Sequence, residues 1–286
     1  MIAFVGSVFS PYYAWARRRH GDQGAPAEQH CALNVSLYRR APGATRVQRL
    51  WSMTERGAAS LQRSAHQLQI GRSALHWQGG ALQIDIDETT APWPQRLRGR
   101  LSLQPHALPA RDFALDAAAR HLWQPIAPLA QIDVDLTAPG LRWQGEAYLD
   151  HNRGTRPLAR DFHAWQWTRA CAPGADLARI VYDAQILDGS RRALHLEADA
   201  SGALQALPLP LPTPLPPTAW RLPRQGYALA GAAPRLLAGL ESGPFYVRSL
   251  LQLADGGLAL HESLSLQRFA SPWVQAMLPF RMPRWG

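Results

Sequence analysis

The run ALQIDIDE, residues 81–88, alternates without a break. Leu82, Ile84 and Ile86 fall on one side of an extended chain, and Gln83, Asp85 and Asp87 on the other. A period of two is what a half-buried strand requires, because successive side chains point to opposite faces of a sheet. QIDVDLT (131–137) repeats the pattern with Ile132, Val134 and Leu136 against Asp133 and Asp135. RLRGRLSLQP (96–105) and GLALHESLSLQRF (257–269) alternate as well. Turn residues punctuate these runs: QGG (78–80), APG (138–140), LDGS (187–190), ASGA (200–203) and ADGG (254–257). Many short antiparallel strands with such punctuation predict an all-β fold, a sandwich or a barrel, with little helix.

Helical signals are few. ARDFALDAAARHLW (110–123) and APRLLAGL (233–240) have some helical character, and each is expected as a loop or one short helix. LPLPLPTPLPP (207–217) lacks the backbone donors of an interior strand or helix and reads as a polyproline-II connection over the surface. The 286 residues suit two domains of about 130–150 residues, and the boundary is expected just after YLDHN, giving 1–152 and 153–286.

The chain is 47% hydrophobic, contains 11 Trp, and carries a net charge of +9. All 30 basic residues are Arg, since there is no Lys. A GC-rich genome accounts for this usage, and attraction to an acidic surface is the functional reading. No basic run exceeds RRR (17–19) and no nucleic-acid motif is present. An anionic membrane surface is therefore the expected partner of the charge, and nucleic acid is not. Cys31 and Cys171 belong to no CxxC pair; two buried free thiols are expected, with a single disulfide as the alternative. The opening MIAFVGSVFSPYY lacks a basic n-region and an A-x-A site, so it reads as a strand and not a signal peptide. No 18-residue apolar stretch occurs, so no membrane-spanning helix is expected.

HExxH, GxSxG, P-loop and GxGxxG patterns are all absent, and neither metal nor cofactor is expected. The DxD of IDVDL and the DIDE of 85–88 place their acids on the solvated side of strands. What remains are acids and His on aromatic-rich strands. In RHLW, His121 and Trp123 share a face if the chain is extended. In WQGEAYLDHN (143–152), Glu146, Tyr148 and Asp150 share one. In LALHESLSL, Glu262 falls among Leu258, Leu260, Leu264 and Leu266. A carboxylic acid on an apolar face has its charged form disfavoured and stays a proton donor near neutral pH. Each position also has a structural reading: strand packing for His121 and Trp123, a buried Arg partner for Glu262, and an Asx turn within DHN for Asp150.

The blocks FVGSVFSPYYAWARRR, HCALNVSLY, MTERG, LHWQGG, RHLWQPIAP, WQGEAYLDHN and SLQRFASPWVQAMLPFRMPR resemble the carotenoid 1,2-hydratases of purple bacteria, also called hydroxyneurosporene synthases, from the first residues to the last. The resemblance implies two tandem lipocalin-like antiparallel β-barrels. It also implies cofactor-independent addition of water to the terminal C1–C2 double bond of an acyclic carotenoid such as neurosporene or lycopene. The family's H-x-W motif falls on His121 and Trp123, and its Y-x-D motif on Tyr148 and Asp150. Some relatives carry an N-terminal extension; this chain starts at the FVGSVFSPYY block, and no function is assigned to one.

On this basis Asp150 is the expected acid, with Tyr148 and Trp123 near the cation. His121 orients the acid or accepts a proton from the attacking water. Trp143, Trp165, Trp167 and Glu262 are expected to bind substrate, whose end group lies near the junction of the halves. The expected partners are the carotenoid, water and an anionic membrane surface. The expected location is cytoplasmic, peripheral to the inner or photosynthetic membrane. A lipocalin-like carrier without chemistry and a cyclase on the same scaffold are the rival readings.

Overall fold

Alternation becomes sheet along nearly all its length, with only Leu266–Phe269 of GLALHESLSLQRF turning to helix, in a computed structural model that describes residues 1–40, 43, 47–171 and 176–285. The strands run in chain order as β1 (Ile2–Val5), β2 (Cys31–Arg39), β3 (Gln48–Arg56), β4 (Leu61–Arg63), β5 (Gln67–Ile70), β6 (Ser73–Gln78), β7 (Ala81–Thr89) and β8 (Arg96–Pro105). They continue as β9 (Phe113–Ala114), β10 (His121–Ala138), β11 (Leu141–Gly154), β12 (Phe162–Cys171), β13 (Leu177–Ile186), β14 (Arg191–Asp199) and β15 (Leu204–Ala206). The last are β16 (Pro212–Pro214), β17 (Gln225–Tyr227), β18 (Arg235–Ser242), β19 (Tyr246–Gln252), β20 (Leu258–Ser265) and β21 (Arg284–Trp285). The helices are α1 (Pro11–His20), α2 (Leu266–Phe269) and α3 (Pro272–Met277).

Leu82, Ile84 and Ile86 of β7 are buried as the alternation predicts. On the opposite face Asp85 pairs with Arg100 and Asp87 with Arg96. Exposed pairs of this kind keep the face wet and add little stability. Asp133 and Asp135 of β10 are likewise taken by Gln144 and Arg142, the solvated-face arrangement expected of both acidic runs.

Two compact units result, each drawn from separate stretches: Met1–Pro105, Gln131–Ala147 and Pro272–Gly286 in the first, His106–Ala130 and Tyr148–Ser271 in the second. The halves 1–152 and 153–286 cut the chain once. The units cut it repeatedly because β10 and β11, 18 and 14 residues long, each begin in one unit and end in the other. In the first unit Ala32, Met53 and Met282 form a core with Phe4, Phe9 and Trp51. In the second, Val181, Leu251, Ala259 and Tyr227 anchor another. Both cysteines are buried and outside any disulfide, and burial pushes the Cys31 thiol up to about 11.

The sheets run β1-β2-β3-β21, β11-β10-β8-β7-β6-β5-β4 with β9 on β10, β15-β14-β13-β12-β20-β19-β18, and β16-β17. Among the described residues every ladder is an open path ending in two edge strands. The chain is mostly β with little helix, as expected, but its sheets are not closed into two barrels. One cause lies beside the edge strand β15. The proline run that follows it has few N–H groups to extend a ladder: Leu207 N–H still donates to His195 O at 2.8 Å, and Pro212–Pro214 make a short pairing with β17.

Two stretches with helical character are not helices. In ARDFALDAAARHLW, the Asp116 carboxylate accepts the backbone N–H groups of Ala118 and His121, a side-chain-closed turn between β9 and β10. In APRLLAGL, β18 pairs with β19 through register shifts at Leu236/Ala238 and Gly239/Glu241. Each irregularity breaks the period of two, so the strand does not alternate in the sequence. Helix α1 has a cue in its first residues. Ser10 Oγ accepts the Tyr13 N–H at 2.9 Å, Pro11 opens the first turn, and Arg17, Arg18, Arg19 and His20 occupy the last, where the helix dipole favours cations.

Candidate active site

The second unit gathers the aromatic and acidic strands. Alternation along β11 points Tyr148, Asp150 and Asn152 the same way. YLDHN does not end the strand: β11 continues to Gly154, so the Asx-turn reading of Asp150 is overturned. Alternation along β10 aims His121 and Trp123 inward, and both are fully buried.

The Trp123 Nε1–H donates to Asp150 Oδ2 at 2.9 Å, and the Tyr148 hydroxyl donates to the same oxygen at 3.0 Å. Both donors are neutral and they share one oxygen, which leaves Oδ1 to carry the proton when the carboxyl is neutral. Rings surround the pair. Trp123 lies 5.4 Å from Tyr182, Tyr148 lies 5.4 Å from Trp167, and Trp165 lies 6.4 Å from Tyr182. The Tyr182 hydroxyl donates to Asn152 Oδ1 at 3.3 Å.

Burial pushes the Asp150 carboxyl up to about 6. The two donors pull it back, and the charge of Glu262 adds to the rise. Burial, and then Asp150 itself, holds the Tyr148 hydroxyl well above its ordinary value. An acid poised near neutrality beside hydroxyl and indole donors can give a proton to an apolar substrate and hold the carboxylate that results.

The remaining expected residues separate. His121 does not touch Asp150. Its Nε2 lies 2.7 Å from Asp161 Oδ2, and Asp161 also receives Arg120 and Arg156. Arg156, against the opposing effect of burial, and then His121 and Arg120 hold the Asp161 carboxyl well below its usual range. The expectation that His121 orients the acid or takes the water's proton therefore lacks its contact. Glu262 has the Arg partner of its structural reading, with Arg248 Nε at 2.8 Å. Trp165 and Trp167 border Asp150's aromatic surroundings. Trp143 is exposed in the first unit, beside Arg98, Asp133 and Gln144 in a charged groove. Tyr182, Asn152, Arg248 and Asp161 were not singled out in the sequence. In β13, LARIVYDAQI, Tyr182 shares the apolar face of Ala178, Ile180, Ala184 and Ile186, and only its register with β12 reveals that it joins the cluster.

Strands of two antiparallel sheets hold a near-neutral acid among aromatic rings, an arrangement able to protonate an apolar substrate. The family model described as carotenoid hydratase CrtC matches residues 1–286. The acyclic carotenoid 1,2-hydratase of Thiocapsa roseopersicina is 48% identical over 100% of this chain and 69% of its own length. That of Rubrivivax gelatinosus is 40% identical over 99% of this chain and 68% of its own. That of Cereibacter sphaeroides is 37% identical over 99% and 98%. Two solved structures share the fold: a putative AttH from Nitrosomonas europaea (TM-score 0.52, 16% identity, 82% of this chain and 80% of that one) and kievitone hydratase from Nectria haematococca (TM-score 0.50, 10% identity, 82% of each). This chain belongs to the carotenoid hydratase family.

Proposed function

We propose that the chain is an acyclic carotenoid 1,2-hydratase, a hydro-lyase that adds water across the terminal C1–C2 double bond of neurosporene or lycopene without a cofactor. The observation that carries this reading is the convergence of Trp123 and Tyr148 on an Asp150 carboxyl raised to about 6. Protonation of carbon limits the hydration of an isolated alkene. Asp150 delivers its proton to C2, which puts the charge on the tertiary carbon C1 and fixes the regiochemistry. The two hydrogen bonds strengthen as the carboxylate forms, so they act more on the transition state than on the ground state. The ring faces of Tyr148, Trp167 and Tyr182 attract the cation at about 0.5–2 kcal/mol per contact. Water completes the addition at C1.

We read each unit as a lipocalin-like barrel left open at an edge, a shape suited to a long polyene. The chain then works at a membrane surface on the cytoplasmic side, where its substrate dissolves. Trp273, Met277 and Phe280 are large, exposed apolar side chains on and just after α3, and α1 ends in three arginines. Both features support binding to anionic lipid. Co-sedimentation with anionic liposomes that salt weakens is the expected result.

The deciding experiment is incubation with lycopene in water labelled with heavy oxygen. A labelled tertiary alcohol is expected. An unlabelled cyclic isomer would mean a cyclase, and tight binding without product would mean a carrier; either refutes the proposal.

A further inference from the structure

The mechanism above leaves part of the site unused. Directly opposed residues run Leu194–Tyr182–Trp167–Glu262–Arg248–Glu241 across β14, β13, β12, β20, β19 and β18. Opposed residues share a face, with Cβ atoms about 4.5–5.5 Å apart. Tyr148 meets this row at Trp167, and Asn152 meets it at Tyr182. Within the row Glu262 sits between Trp167 and Arg248. The Arg248 guanidinium, itself buried, approaches Glu262 Oε1 with Nε and Nη2, both at 2.8 Å, which leaves Oε2 outside that pair. Trp167 is 8% exposed. Its indole nitrogen is buried and has no hydrogen-bond partner among the described residues.

Resting on the hydratase reading, we propose that Glu262 is the catalytic base that accepts the proton of the attacking water, and that the Trp167 indole N–H holds that water beside it. The π pair of the alkene takes the proton of Asp150 to form the C2–H bond, and C1 becomes the cation. A lone pair of water forms the C1–O bond. The resulting oxonium gives its extra proton to Glu262, leaving a tertiary alcohol and a neutral Glu262. That proton returns through solvent to the Asp150 carboxylate, so the sum is alkene plus water to alcohol.

The chemistry fits these residue types. A protonated tertiary alcohol is a far stronger acid than any carboxylic acid, so a carboxylate hydrogen-bonded to Arg248 still accepts its proton. Glu262 faces a guanidinium while Asp150 faces only neutral donors, the two different carboxyl environments that an acid–base pair needs. An indole N–H donates and cannot accept. It engages one lone pair of the water, leaving the other for C1 and the protons for Glu262. Without a base, the oxonium expels water again and the cation loses a carbon-bound proton. His121 cannot fill this role while Asp161 holds it.

The test incubates lycopene in D2O with the parent and the variants Glu262→Gln, Glu262→Asp and Trp167→Phe, each checked for fold by circular dichroism. It reads the tertiary alcohol together with deuterium in the alkene that remains, whether lycopene or its exo-methylene isomer. Glu262→Gln is expected to lose alcohol on the order of 100-fold, the lower end of a general base's contribution, while deuterium still enters the alkene. Glu262→Asp should restore part of the alcohol. Trp167→Phe, which keeps an aromatic ring, should lose it roughly tenfold, the equivalent of about one hydrogen bond, with deuterium entry retained. Glu262→Gln forming alcohol near the parental rate overturns the base. So does loss of alcohol and deuterium together in Glu262→Gln without recovery in Glu262→Asp. Parental alcohol formation by Trp167→Phe overturns the water site, and it remains decisive if Glu262→Gln does not fold. A failed hydratase reading shows separately, as a parent that yields neither alcohol nor deuterated alkene.

Discussion

Removing the Tyr148 hydroxyl should move the pH dependence of the reaction without removing the acid. Tyr148 Oη lies 3.0 Å from Asp150 Oδ2, and Phe keeps the ring that packs on Trp167. A hydrogen bond to a charged group contributes about 1.5–3 kcal/mol and one to a neutral group about 0.5–1.5 kcal/mol. Tyr148→Phe therefore disfavours the carboxylate over the acid by about 1–1.5 kcal/mol, which at 1.36 kcal/mol per pH unit is roughly one unit. The parent needs Asp150 protonated, so its kcat/KM should fall tenfold per pH unit above about 6. In the variant the fall should begin near pH ~7, at a lower plateau because the emerging carboxylate has lost a donor. The assay is kcat/KM for lycopene in detergent between pH 5 and 9, with the alcohol quantified by chromatography. A folded variant whose limb stays in place, or moves to lower pH, would refute the reasoning that Tyr148 stabilises the charged form of a catalytic acid.

Other outcomes follow from the same geometry. Asp150→Asn should lower the hydration rate by about 10²–10⁴-fold, the usual contribution of a general acid. Its stability should rise relative to the parent as pH increases. The folded Asp150 value lies above the unfolded one, so the parent loses stability between about pH 4 and 6, by at most roughly 3 kcal/mol, and the Asn variant does not. Urea unfolding of both proteins at pH 4 and 7 checks this. His121→Gln should lower stability by about 1–3 kcal/mol through the lost bond to Asp161, yet leave the pH limb of kcat/KM where it was. Glu88, fully buried in the first unit, is held by Arg56 and Ser73. Arg56→Ala should therefore cost about 3–5 kcal/mol in denaturant unfolding, the effect of stranding a buried charge.

The sequence made legible what alternation controls. Tyr148 with Asp150, and His121 with Trp123, share faces because each pair lies two residues apart on a regular strand. Their motifs added the expectation that the two pairs work together, and the Trp123–Asp150 bond joins them. Tyr182, Arg248 and the partners of Glu262 depend on inter-strand register. Which residue of β12 opposes Glu262 follows from turn lengths and bulges, and β18 carries two irregularities that hide its own alternation. Closure into barrels was equally out of reach, since it depends on whether edge strands find partners. The contact of His121 was hidden for a related reason: its partner Asp161 lies 40 residues away, beyond any local pattern.

Asp150 and Asp161 show why burial alone could not have chosen the acid. By area Asp161 is the more enclosed, at 3% exposure, while Asp150 keeps a partly exposed surface. Exposed area by itself would therefore nominate Asp161 as the proton donor, although desolvation acts more strongly on Asp150. The two carboxyls move in opposite directions because their partners differ in charge. Arg156, Arg120 and His121 meet Asp161, so its charged form is favoured despite burial. Asp150 meets an indole, a phenol and the nearby charge of Glu262, none of which can neutralise a carboxylate. The neutral donors still matter, because they keep the rise to about 6, so the carboxylate left after proton transfer remains a state the site can hold. An acid raised much further would bind its proton too tightly to give it to carbon, and one paired with Arg would have no proton to give. Indole and phenol, polar but uncharged, put Asp150 between those limits.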